Sequence, residues 1–222
     1  MTHRPPLALL FDLDGTLVDS IELILSSFRY TFRQHVGEVP PDSKWIAGLG
    51  TPLFTQLKEF TQDDALARAM IATYRQYQLA HHDEFMRSYE GVSEAMAELR
   101  ARGHTTAVVT SKMSDLAVRA LDFTGLRDTI DVVIGMEDTQ RHKPDPEPVR
   151  VALAKLGRAA NEAVFLGDSP HDIASGNAAG VITVAAQWGP FSRQELDAAK
   201  PGYQVLRMAE FPALIARLES AR

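Results

Sequence analysis

The chain contains no cysteine. That excludes disulfide staples and thiolate zinc sites, and it fits a reducing cytosol as well as other places. It also lacks a long apolar run. Met1-Thr2-His3-Arg4-Pro5-Pro6 leads into only five apolar residues, Leu7 to Phe11. A secretory leader needs a longer stretch, and a spanning helix needs about 20 such residues. There is no basic excess: 23 Lys and Arg stand against 29 Asp and Glu, a formal net charge of −6. This argues against bulk binding to nucleic acid or to anionic membrane. No repeat or low-complexity tract stands out. The expectation is a soluble, cytoplasmic protein, monomer or homodimer.

What is present is a sizeable core. Hydrophobic residues make up 45% of 222 positions, enough for one large domain or a core with a smaller insert. Leu7 to Phe11 is a short continuous apolar run, the form a parallel strand buried on both faces takes. The form recurs at Thr105 to Thr110, Val132 to Gly135, Ala163 to Gly167 and Val181 to Ala185. Helical patterns lie between them, at Val92 to Arg102, Asp115 to Phe123, Pro146 to Leu156 and Pro170 to Ala179, most of them stopping at a glycine. This alternation predicts an α/β, Rossmann-like parallel sheet with helices on both faces. Ser20 to Ser88 breaks it with helical periodicity alone: Ile21 to Val36, Pro52 to Phe60 and Asp63 to about His81. We expect an inserted α-helical cap over 18–88 and a core made of 1–17 and 89–222.

Chemistry-bearing residues follow the strands. Asp12-Leu13-Asp14-Gly15-Thr16 comes directly after the first, where an open parallel sheet binds ligands. Gly15 allows a tight turn that brings backbone N–H groups close to an anion. Two carboxylates this close repel unless a hard cation such as Mg²⁺ neutralises them. One carboxylate could then attack phosphorus while the other moves a proton. Thr110-Ser111 closes the second core strand, and its hydroxyls and N–H groups could bind phosphate oxygens, though Thr-Ser is also ordinary turn chemistry. Lys143 sits on a segment stiffened by Pro144, Pro146 and Pro148, which suits a fixed charge on phosphate. Asp168 follows the fourth core strand and could complete a metal site or simply cap a helix. Asp172, one turn on, could hold a metal-bound water or pair with Lys143.

With these motifs in place, the chain resembles the haloacid dehalogenase superfamily across nearly its whole length. Asp12 to Ser20 (DLDGTLVDS) looks like the first motif, Thr110-Ser111-Lys112 the second, Lys143 the third and Gly167 to Asp172 the fourth. The resemblance implies a phosphatase with Asp12 as nucleophile and Asp14 as acid and base. It implies Mg²⁺ held by Asp12, the Asp14 backbone carbonyl and Asp168. Thr110, Lys143 and the backbone near Leu13 and Gly15 would bind the phosphoryl oxygens. Within the superfamily the chain is similar to phosphoglycolate phosphatases and to a bacterial pyrophosphatase branch, through Tyr74-Arg75-Gln76-Tyr77, His81 to Glu84, Lys143 to Pro148 and Trp188-Gly189. The implied partner is a small phosphorylated metabolite or pyrophosphate.

Three other readings compete. Phosphomutase relatives usually carry valine or similar where Thr16 stands. Dehalogenase relatives lack the second aspartate, Asp14. A catalytically silent binding protein would typically have lost the nucleophile, acid or lysine. In the cap, His81, His82 and Arg75 could meet the leaving group or merely be solvated. Gly48, Gly50 and Thr51 could reach the site or simply connect helices. Trp45, Phe54 and Phe60 are expected as cap core.

Overall fold

A computed structural model describes residues 5–221. The leader reading made on Met1 to Arg4 lies outside them. After β1 (Ala8–Phe11) the chain forms β2 (Val18–Asp19), then α1 (Ile21–His35), α2 (Asp42–Ile46), α3 (Leu53–Lys58) and α4 (Asp64–Phe85), and returns as β3 (Arg87–Ser88). Strands and helices then alternate as α5 (Val92–Ala101), β4 (Thr106–Val109), α6 (Ser114–Phe123), β5 (Val132–Ile134), α7 (Glu147–Leu156), β6 (Ala163–Gly167), α8 (Pro170–Ala179), β7 (Ile182–Ala186), α9 (Arg193–Ala198), β8 (Tyr203–Val205) and α10 (Phe211–Ser220).

Six strands form one sheet in the order β5-β4-β1-β6-β7-β8, and every pair is parallel. The α/β expectation holds. Side chains of β1 alternate between faces. Leu9 and Phe11 join a cluster with Met96, Leu121 and Phe211 from α5, α6 and α10. Ala8 and Leu10 join Val149 and Leu153 from α7 on the other face. All of β1 is fully buried. Each such Leu or Phe contributes about 1.5–3 kcal/mol relative to exposure, so this run belongs at the centre of a two-faced core. The sixth strand, β8, has no apolar run to announce it: Tyr203-Gln204-Val205 is half exposed on the sheet edge.

The inserted helices carry their own apolar cluster. Phe28 stacks on Trp45 with ring centroids 4.0 Å apart and lies 4.4 Å from Phe32. Phe60 packs at 5.1 Å from Phe32. Arg29 ties α1 to α2 through Asp42 at 2.6 Å. Trp45 is fully buried, and Phe54 and Phe60 pack on the cluster. The cluster continues into Ile173, Ala185, Phe191 and Leu196, so the helices rest on the sheet's rim rather than standing free. Residues 18–19 and 87–88 pair antiparallel. Two expectations change. Asp42–Ile46 is an additional helix, and α4 runs on to Phe85, which puts His81 and His82 inside it rather than at its end.

Candidate active site

Strand order reverses between β1 and β6, the position where doubly wound sheets bind ligands. Asp12 is the first residue after β1 and Asp168 the first after β6. Thr110 follows β4, and Lys143 reaches in from the loop before α7. All four are buried. The Lys143 ammonium donates to Asp12 Oδ1 at 2.8 Å, to Asp172 Oδ1 at 2.6 Å and to the Val109 carbonyl at 3.3 Å. Asp172 Oδ2 accepts from the Ser169 N–H at 3.0 Å and from its hydroxyl at 2.6 Å. This capping box starts α8 and at the same time aims Asp172 at the lysine. Asp168 Oδ1 accepts from the Thr16 hydroxyl at 2.6 Å.

The glycines hold the carboxylates in place by leaving room. Gly15 has φ +88°, and a Cβ on it would lie 2.4 Å from Asp168 Oδ2. A Cβ on Gly189 would lie 2.4 Å from Asp168 Cβ.

Charge in this cluster does not balance. Asp12, Asp168 and Asp172 bring oxygens within 4.8 Å of one another, and Lys143 is the ammonium set among them. Burial first, then the Asp172 charge, pushes the Asp12 carboxyl up to about 7, against the pull of Lys143. Burial and the charges of Asp12 and Asp172 push Asp168 well above the carboxylate range. Burial alone would lower Lys143, but attraction to Asp12 and Asp172 outweighs it and holds the ammonium charged. With all three carboxylates ionised, they and the one ammonium would leave two negative charges in a low-dielectric site, which is why Asp12 and Asp168 are raised. Acceptor-only oxygens with that surplus fit a hard divalent cation. Among the described residues, both oxygens of Asp172 are already hydrogen-bonded, whereas Asp12 and Asp168 each keep one uncommitted. Asp172 therefore reads as the partner of Lys143 rather than as a ligand.

Asp14 points elsewhere. Its Oδ1 accepts from Ser20 Oγ and from Lys112 Nζ, each at 2.5 Å, so its carboxylate is held in the cavity wall, outside the Asp12–Asp168–Asp172 group. Above it is a solvent-open cavity of about 840 Å³ between rim and helices. Asp12, Asp14, Thr110, Lys112 and Asp168 line one side. Trp45, Gly50, Thr51, Gln56, Tyr74, Arg75 and Gln78 line the other.

A model of the haloacid dehalogenase-like hydrolase family matches residues 9–186. The chain belongs to that family. A Caldanaerobacter subterraneus protein, provisionally named pyrophosphatase PpaX, is 41% identical to this hydrolase over 208 residues, covering 94% of each chain. Pyrophosphatase PpaX of Bacillus velezensis is 35% identical over 210 residues, covering 95% of this chain and 96% of its own. The crystal structure of a Clostridium acetobutylicum protein, described as a predicted phosphatase, superposes with TM-score 0.87 at 26% identity, covering 96% of this chain and all of that one.

Several anticipated groups are engaged differently in this hydrolase. The Ser111 hydroxyl donates to the Gly50 carbonyl at 2.6 Å, joining core to cap instead of lying free for phosphate. The Gly15 N–H donates to the Val18 carbonyl at 2.9 Å. Leu13's side chain is buried in the core, which confines its part in the site to its backbone. Thr110 Oγ1 accepts from the Lys112 N–H at 3.2 Å, leaving its own proton to donate. His81 pairs with Glu84 at 3.1 Å on the surface. His82 is buried and faces a neighbouring cavity with Leu79 and Met86. Sequence reading gave no role to Ser20 or to Lys112 as partners of Asp14, nor to Thr16 as the donor to Asp168. All three lie inside the motif stretches, but nothing in their spacing says which carboxylate each would reach.

Proposed function

We propose that this hydrolase is an Mg²⁺-dependent cytoplasmic phosphatase that cleaves pyrophosphate or a small phosphate ester through an aspartyl-phosphate on Asp12. The observation that carries this reading is the Lys143 ammonium bridging Asp12 and Asp172 beside Asp168, a buried cluster with two negative charges in surplus. The names of the PpaX relatives favour pyrophosphate.

In this reading Asp12, Asp168 and the Asp14 carbonyl would hold Mg²⁺. When bound, it supplies charge neutralisation and Lewis-acid polarisation of the phosphoryl oxygens. A carboxylate oxygen of Asp12 attacks phosphorus and the bond to the leaving oxygen breaks. Asp14 gives that oxygen its proton. Water then attacks phosphorus, Asp14 takes the water's proton, and the bond from phosphorus to Asp12 breaks to release phosphate. Lys143 and Thr110 hold the phosphoryl oxygens as charge builds on them. Lys112 and Ser20 orient Asp14. Residues 18–88 act as the cap and the remainder as the core, in a monomer or homodimer.

The test is a purified-enzyme screen of pyrophosphate, 2-phosphoglycolate and sugar phosphates, with Mg²⁺ and with EDTA. Turnover that requires the metal is expected. Haloacid hydrolysis that survives EDTA, or no turnover of any phosphate compound with Mg²⁺, would overturn the reading.

A further inference from the structure

The cap side of the cavity is rich in hydrogen-bond donors that have nothing to donate to. Among the described residues three arginines lack a hydrogen-bond, ion-pair or ring partner: Arg33, Arg75 and Arg87. Arg33 and Arg87 are exposed, which is the ordinary fate of a solvated arginine. Arg75 is half-buried in the cavity wall. One residue before it on α4, Tyr74 is buried, and its oxygen accepts from Gln78 Nε2 at 3.1 Å. That leaves the phenol proton without an acceptor. Trp45 is 1% exposed, is fixed by stacking on Phe28, and its indole N–H has no partner. Buried donors are costly to leave unpaired. Two such buried donors and the half-buried Arg75 guanidinium on a single wall of the cavity form a cradle for an anion. Gln56 Oε1 is an unpaired acceptor on the same wall, suited to a hydroxyl or a protonated phosphate oxygen.

We infer that Arg75, Tyr74 and Trp45 form a second anion subsite on the cap, so that the preferred substrate carries a compact negative group, phosphate or carboxylate, on its leaving side. This rests on the phosphatase reading and narrows it: the core handles the transferred phosphoryl group, and the cap selects what leaves. Arg75 is a specificity-determining residue with no hydrogen bond, ion pair or ring contact to lose among the described residues, so its replacement is expected to leave the fold intact.

The test compares wild type with Arg75→Met on three compounds in the presence of Mg²⁺. The leaving group of pyrophosphate is phosphate and that of 2-phosphoglycolate is glycolate, which bears a carboxylate; the leaving group of p-nitrophenyl phosphate bears neither. The variant should keep its melting temperature. Its kcat/KM should fall by about thirtyfold or more on at least one of the first two and by less than about threefold on the third. Whichever anionic substrate suffers more identifies the group the subsite takes. A similar loss on all three, or less than a threefold change on both anionic compounds, overturns the subsite. If wild type turns over sugar phosphates but neither anionic compound, the subsite alone is overturned; if it turns over no phosphate compound at all, the phosphatase reading fails and the subsite falls with it.

Discussion

On the core side of the cavity the charged groups hold one another: Lys143 is shared between Asp12 and Asp172, Asp168 accepts from Thr16, and Asp14 accepts from Ser20 and Lys112. Across from it the cap presents Arg75 and the Trp45 indole, which have no hydrogen-bond or ion-pair partner among the described residues. The core wall is a closed network whose geometry is set before substrate arrives, which is what stabilising a charged transition state requires. The cap wall is unfinished and is completed by whatever enters. In the proposed reading, chemistry and selectivity are carried by groups with opposite hydrogen-bonding economies. Damage to the first should abolish turnover of every substrate, while damage to the second should redistribute preference.

The largest effect is expected from Asp12→Asn. It removes the proposed nucleophile, and steady-state assays should show a loss of about ten-thousandfold or more on every substrate, with circular dichroism unchanged. Activity near the parent level would remove Asp12 from its role and dissolve the contrast between the walls. Next is Lys143→Ala. It leaves Asp12 and Asp172 buried without their ammonium, so it should cost about 3–5 kcal/mol in denaturant unfolding as well as about a hundredfold in kcat/KM. A kinetic change under threefold would place Lys143 outside the site.

The smallest effect is thermal and sharpens the charge argument. In the metal-free protein the Asp12 carboxyl stands at about 7 rather than 3.8, and Asp168 is raised in the same direction. A raised folded value contributes stability that is complete below the unfolded pKa and is lost as pH rises through the folded one. The metal-free protein should therefore weaken between about pH 4 and pH 7, and a divalent cation should restore what is lost. Calorimetry is expected to show an Mg²⁺-induced rise in melting temperature of about 5 °C at pH 8 and a smaller one at pH 5.5. Equal shifts at both values would mean that the carboxylates are not where the cation binds.

Legibility in the sequence tracked the strength of the local signal. Ala163–Gly167 and Pro170–Ala179 are found where the apolar run and the proline-to-glycine frame put them, because a strand buried on both faces and a helix with a start and a stop each write their own pattern. β8, at the half-exposed sheet edge, writes none, and β2 and β3 are two residues each. The short α2 rests on Trp45 meeting Phe28, a contact that no local periodicity records.

The residues of this protein determined by themselves the parallel sheet and the acids at its rim, because buried strands and tight glycine turns are local matters of hydrophobicity and backbone freedom. Only the tertiary structure decided that Lys112 and Ser20 take Asp14, that Thr16 takes Asp168, that Ser111 is given to the cap, and that Arg75 faces the cavity. Most of those choices depend on which side chains approach across a long stretch of chain, 98 positions for Lys112 and Asp14 and 152 for Thr16 and Asp168, and a spacing along the sequence carries no record of an approach through space.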